Sequence, residues 1–176
     1  MSVQKSPKIR NLGDNLKHFR KAYGYSQQKL CTMLEAHSCK LERITYSKYE
    51  NGELNIKISV IVTLKELYRC SYDDFFVGLT PLAERPLPTE SEQKLRRDMK
   101  MGDNLKRLRQ MHKYSQEGLC GELQRRGYDI GRTTYSKYEN GTLNIRPSVL
   151  ILLKELYDCK MDDFFDGLTR VIDEQA

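Results

Sequence analysis

Side chains able to do covalent or metal chemistry are sparse in this chain: it holds three histidines and five cysteines. A cysteine beside a histidine makes a nucleophile, and paired Cys-x-x-Cys spacings make metal or redox centres. Neither pattern occurs. Cys31, Cys70, Cys120 and Cys159 fall inside apolar stripes at helical spacing, where a thiol packs as a small hydrophobe. Cys39 stands apart in a polar turn, and is the one thiol expected to reach solvent. Gly13-Asp14-Asn15-Leu16-Lys17 offers one glycine before a helix, not a glycine-rich phosphate cradle. No acid–base pair stands out. The expectation is a protein that is not an enzyme, with no metal and no cofactor. An odd cysteine count without Cys-x-x-Cys points to a reducing, cytoplasmic compartment.

What remains is charge. The 176 residues carry 30 Lys and Arg against 24 Asp and Glu, a formal +6. With 39% hydrophobic and 31% charged residues, the chain is globular rather than disordered. The positive balance hints at a polyanionic partner. No apolar run approaches the roughly 20 residues of a membrane span, so no membrane partner is expected. The opening Met1–Arg10 has no apolar core after its charges and does not read as a secretory leader.

The chain repeats itself. Shifted by about 89 residues, Gly13–Lys17 matches Gly102–Lys106, and Thr45–Gly52 matches Thr134–Gly141. Leu64–Tyr68 likewise matches Leu153–Tyr157, and Asp73–Phe76 matches Asp162–Phe165. Of roughly 68 positions from Gly13 to Thr80, about 39 are identical, which implies two domains of one fold. The histidines do not follow the repeat: His18, His37 and His112 stand opposite Arg107, Arg126 and Tyr23, as no duplicated active site would allow. The expected organisation is a basic tail at 1–12, a first domain at 13–80, a linker at 81–101, a second domain at 102–169 and a tail at 170–176. Pro81, Pro86 and Pro88 stop any helix in the first part of the connection; from about Glu92 it is charged, proline-free and able to run as a helix.

Period-two alternation is absent and helical spacing recurs, so each copy reads as short helices without a sheet. Leu12, Leu16, Phe19 and Tyr23 mark the first helix. Ser26 and Ser115 sit as N-caps before the second, whose apolar run is Leu30, Cys31 and Leu34, or Leu119, Cys120 and Leu123. A third helix spans about Arg43 to Glu50, with Tyr46 and Tyr49 inward and their hydroxyls expected at the rim. Asn51-Gly52 and Asn140-Gly141 end it. A fourth runs over roughly Ile58–Arg69 and Pro147–Asp158, with Pro147 at a first helical position. A last short helix, opened by Asp73 or Asp162, buries paired phenylalanines. The fold class is all-α: two tandem five-helix domains joined by a proline-containing linker.

Ser26-Gln27, a short third helix ending Tyr49-Glu50-Asn51-Gly52, a fourth helix and the Asp73–Phe76 close resemble the Cro/repressor (XRE) helix-turn-helix family, and the pattern occurs twice in register. The turn before the third helix is about five residues longer than that family's tight turn. The resemblance implies that the third helix enters a major groove and meets base edges with its N-terminal residues. These are Arg43, Ile44, Thr45, Ser47 and Lys48 in the first copy, and Arg132, Thr133, Thr134, Ser136 and Lys137 in the second. It further implies phosphate contacts from Gln27 and Gln116 at the start of the second helix. Asn55 with Lys57, and Asn144 with Arg146, would grip the backbone before the fourth helix. Arg20 and Arg109 match the family arginine that pairs with the glutamate before Asn-Gly, here Glu50 and Glu139.

The implied partner is a double-stranded DNA operator with two similar half-sites, either near-palindromic or directly repeated. The implied role is a transcriptional regulator, by family habit a repressor. A homodimer on a longer operator stays open. The rival reading is a protein- or RNA-binding adaptor of a mobile element, an inhibitor or antitoxin, built on the same fold. The outward face of the third helix separates them: hydroxyls and cations favour DNA, and Ile44 dissents.

Overall fold

The computed structural model describes residues 11–79 and 101–168. The basic residues Lys5, Lys8 and Arg10, the connecting stretch from Thr80 to Lys100 and the C-terminal tail lie outside the described residues. Helices carry the fold in both copies. The first contains α1 (Leu12–Ala22), α2 (Gln27–Ala36), α3 (Arg43–Glu50), α4 (Ile58–Tyr68) and α5 (Tyr72–Phe76). The second contains α6 (Met101–Met111), α7 (Gln116–Arg125), α8 (Arg132–Glu139), α9 (Pro147–Tyr157) and a closing 3-10 turn (Met161–Phe164). Two boundaries shift: Leu12 is buried in α1 rather than in a tail, and α6 begins at Met101, which the sequence assigns to the linker.

Local chemistry explains the boundaries. Asn11 opens α1 with a capping box, its Oδ1 accepting from Asp14 N–H at 2.9 Å. Ser26 and Ser115 cap α2 and α7 by accepting from the N–H of Lys29 and Gly118. Gly52 and Gly141 follow α3 and α8 at φ of 69° and 66°, the left-handed conformation a stop requires. The last element departs from expectation. Ser71, not Asp73, opens α5: its hydroxyl accepts from Asp74 N–H, while its own N–H donates to Asp74 Oδ2. Lys160 holds that position in the second copy and has no side-chain acceptor to offer. Only the reverse bond survives, from Lys160 N–H to Asp163 Oδ2 at 2.8 Å, and the element tightens to a 3-10 turn.

Each copy wraps its helices around an apolar centre. Leu16, Leu30, Leu34, Tyr46, Ile61, Leu64, Tyr68 and Phe75 fill the first, and Leu105, Leu119, Leu123, Tyr135, Leu153, Tyr157 and Phe164 the second. The buried residues of both copies join in one cluster, so the halves pack against each other instead of hanging apart on a tether. Two repeated residues lock the first and last elements of each copy. Asn15 donates through Nδ2 to the carbonyls of Phe75 and Val77 at 2.8 and 3.0 Å, and Asn104 does the same to Phe164 and Asp166 at 3.0 and 2.7 Å. Beside them, Gly13 and Gly102 let α1 and α6 press against the ends of α3 and α8. An added methyl would collide with the backbone carbonyl oxygens of Tyr49 and Glu50, or of Tyr138 and Glu139.

Gly13→Ala and Gly102→Ala should therefore each cost about 1–3 kcal/mol in urea denaturation, because backbone cannot yield as a side chain can. Gly121→Ala, in α7 with open space where its methyl would sit, should raise stability by about 0.5–1 kcal/mol. Equal effects at all three would show that the close approach is not what these glycines serve.

Candidate nucleic-acid interface

α3 and α8 are short, so their pose depends on what holds them. Their inner faces are Tyr46, Tyr49 and Glu50, and Tyr135, Tyr138 and Glu139, all buried. Glu50 ends α3 inside the protein, where an isolated carboxylate would be costly. It is fully engaged: Arg20 Nε and Nη2 donate to its two oxygens at 2.6 and 2.9 Å, and Gln27 Nε2 donates to Oε2 at 2.8 Å. Arg20 Nη1 also donates to the carbonyl of Tyr25. The second copy repeats this cluster: Arg109 reaches Glu139 at 2.6 and 3.1 Å, and Gln116 donates at 2.7 Å. One carboxylate thus ties α1, α2 and α3 together, and its counterpart ties α6, α7 and α8. Burial by itself would raise the Glu50 pKa. The hydrogen bonds from Arg20 and Gln27, with the Arg20 charge, outweigh it and hold the carboxyl below its ordinary value.

The opposite faces look outward. Arg43, Ile44 and Lys48 are exposed on α3, with Thr45 and Ser47 half-buried beside them. On α8, Arg132 and Thr133 are exposed, and Thr134, Ser136 and Lys137 are half-buried. Glu42 and Gly131 precede these helices without a side-chain cap, so the first N–H groups of α3 and α8 have no side-chain partner there. Lys57 and Arg146 are exposed at the N-caps of α4 and α9. Gln27 and Gln116 are half-buried at the first positions of α2 and α7. The loops that lead into α3 and α8 occupy residues 37–42 and 126–131, as long as the sequence implies.

Three expectations need correction. Asn55 and Asn144 do not face solvent: they are 8% and 5% exposed, and both donate into the backbone of the other copy. Their chemistry is spent on packing the halves together, and they leave the set of backbone-gripping residues. The hydroxyls of Tyr46 and Tyr135 do not reach a rim. Both side chains are wholly buried, and burial drives their ionisation far above that of an ordinary tyrosine; Tyr49 is pushed up to about 12 for the same reason. Cys39 is half-buried, and burial raises its thiol pKa, which disfavours the reactive thiolate.

Helical spacing gives Asn15 and Asn104, the internal ties, no role, and has Asp73 and Asp162 open a helix where the structure makes them ion-pair partners of the other copy. Their signal was present: each is identical at the same register of both copies. Among the described residues no group of His, Cys, Asp and Glu is placed to hold a metal, and no helix is long and apolar enough to cross a membrane.

A helix-turn-helix family model of the XRE type matches residues 105–164, from α6 to the closing turn. The matched segment is about a third of the chain, and within it α8 is the third helix. No curated protein and no solved structure matches the chain.

The Glu50 cluster yields a stability prediction. Glu50→Ala strands Arg20 in a buried site and should cost about 3–5 kcal/mol at neutral pH. The folded carboxyl titrates below its unfolded value. Its contribution is therefore fully present above the ordinary carboxylate range and lost as pH falls through the folded value. Urea midpoints measured at pH 7 and pH 3 should fall more for the native chain than for Glu50→Gln. Parallel losses would mean that the pair does not set acid sensitivity.

Proposed function

We propose that the chain is a sequence-specific double-stranded-DNA-binding transcriptional regulator that presents two recognition helices, α3 and α8, from two domains at 12–80 and 101–169. The observation that carries this reading is that both helices are pinned by the same buried Arg–Glu–Gln cluster while turning an arginine-led polar face outward. A short helix held this way, with long polar side chains on its outer face, suits reading of base edges. The family match to residues 105–164 supports it for α8, and the identity of Thr45–Gly52 with Thr134–Gly141 extends it to α3.

In this reading Arg43 and Arg132 take guanine O6 and N7 in bidentate pairs, each worth about 1–3 kcal/mol of discrimination. Thr45, Thr134, Ser47 and Ser136 supply hydroxyls to neighbouring edges. Lys48 and Lys137 reach guanine or phosphate, and Ile44 and Thr133 lie against the groove floor, where a thymine methyl can seat them. Gln27, Gln116, Lys57 and Arg146 contact phosphates and set the docking register without reading sequence. A repressive role follows family habit. The five cysteines are all free thiols, which suits a reducing, cytoplasmic home.

The rival adaptor reading draws on one feature, Ile44, which is 62% exposed on the free face of α3. Its counterpart is Thr133, so an apolar docking face is not repeated on α8.

Arg43→Ala and Arg132→Ala should flatten base preference about 5- to 150-fold at one position of each half-site. Lys57→Ala and Arg146→Ala should weaken all duplexes alike and reduce the salt slope by about one each. Fluorescence anisotropy on duplexes drawn from a random pool, at two salt concentrations, makes the comparison. Uniform losses from the arginine variants would remove them from base reading, and affinity independent of salt would favour the adaptor.

A further inference from the structure

The contacts between the copies obey a rule that the repeat makes visible. Lys65 and Asp73 of the first copy correspond to Lys154 and Asp162 of the second. Lys154 Nζ pairs with Asp73 Oδ1 at 2.7 Å, and Lys65 Nζ pairs with Asp162 Oδ1 at 3.7 Å. Asn55 and Ile56 correspond to Asn144 and Ile145. Asn55 Nδ2 donates to the carbonyls of Ile145 at 3.0 Å and Asn144 at 3.4 Å, while Asn144 Nδ2 donates to the carbonyl of Ile56 at 2.7 Å. The Lys–Asp ion pairs and the Asn–Ile hydrogen bonds are each returned: a contact from one copy's residue to the other copy's partner recurs with the two copies exchanged. A translation from one copy to the next would join two different faces and return nothing. Only a twofold rotation joins a face to itself.

We infer that the two halves are locked through one self-complementary face by a pseudo-twofold clamp, and that a single chain therefore reads an inverted repeat with unequal arms. The operator part of this inference rests on the DNA-binding function proposed above; the clamp does not. Its centre is apolar and aromatic, with Tyr72 stacked on Phe165 at 3.9 Å between ring centroids. Here the copies differ, since Met161 replaces Tyr72. Lys65 Nζ, already paired with Asp162, lies over the Tyr72 ring at 4.5 Å, and Asp73 Oδ2 accepts from the Met161 N–H at 3.3 Å. The Asn55 Oδ1 is buried without a hydrogen-bond partner, a cost that an apolar residue would avoid. An asparagine accepts only a partner that offers carbonyls at this register, so it specifies the fit rather than adding stability.

The clamp also limits where the readers sit. Asn55 and Asn144, which meet across it, each lie five residues beyond the last residue of α3 or α8. Five residues span at most about 17 Å, and half of an eight-residue helix about 6 Å. The helix centres are therefore no more than about 50 Å apart, a range that contains the roughly 34 Å between half-sites one turn apart. The arms differ where the helices differ. Ile44 demands an apolar partner such as the thymine methyl, whereas Thr133 serves hydroxyl or methyl contacts. Glu42 brings a carboxylate that favours cytosine N4 at a position where Gly131 brings nothing.

The test uses the full chain. Duplexes selected from a random pool are rebuilt as inverted repeats, direct repeats and single half-sites. The inverted repeat should bind one chain, at least about tenfold more tightly than the direct repeat and about a hundredfold more tightly than one half-site. Equal affinity for inverted and direct repeats overturns the operator geometry, whereas failure to select any duplex overturns the proposed function instead. The clamp has its own readout in thermal melting without DNA. Lys154→Asp should lower the midpoint, and adding Asp73→Lys should restore it within a single transition. Absence of that rescue, or melting in two separate steps, overturns the clamp.

Discussion

The structure depends on a carboxylate that cannot afford to be alone. Glu50 lies inside the protein at the end of α3, and its ionised form survives there because Arg20 and Gln27 supply three donors to its two oxygens. Those donors come from α1 and α2. The position of α3 is therefore set by two other helices through an interaction with strict angular demands, since a bidentate guanidinium tolerates little tilt. Glu139 repeats the arrangement for α8. Aromatic rings behind each helix supply area, and Gly13 and Gly102 remove the side chains that would hold it away. A helix of two turns has little stability of its own. Here it becomes a fixed support for whatever its outer face carries.

Gln27 and Gln116 illustrate how one residue serves two demands. At the first turn of α2 or α7 they are placed to face an anion, yet their amide nitrogens already complete the buried cluster. A contact with an anion made there would connect the outside of the protein directly to the group that holds α3 or α8 in place. Asn55 and Asn144 show the opposite outcome. Their position before α4 and α9 suits a backbone grip, but their amides are consumed by the other copy, and the exposed cations Lys57 and Arg146 are left at that edge.

Two similar halves in one chain pair under different energetics from two separate chains. Two separate chains meet at a concentration-dependent cost, whereas tethered halves meet at an effective concentration near the millimolar range. The contacts found here set partly exposed ion pairs and asparagine amides around an apolar, aromatic centre. The two halves are similar but not identical. Ser71 and Lys160 show this in the fold, where loss of a cap turns an α-helix into a 3-10 turn at no visible cost to the packing of Phe164. Ile44 and Thr133 show it on the outer face.

Much was determined by the residues alone. Helical period, serine caps, Asn-Gly stops and the internal repeat are local signals, readable because each depends on neighbours within a few positions. They were enough for the helix order and for the outward set on α3 and α8. Contacts between distant segments were decided only by tertiary structure. Whether Asn55 faces phosphate or protein, whether Asp73 caps a helix or pairs with Lys154, and where Tyr46 ends its hydroxyl depend on what lies across a packed surface. A polar side chain carries the same donors in either setting, and its surroundings choose which are used.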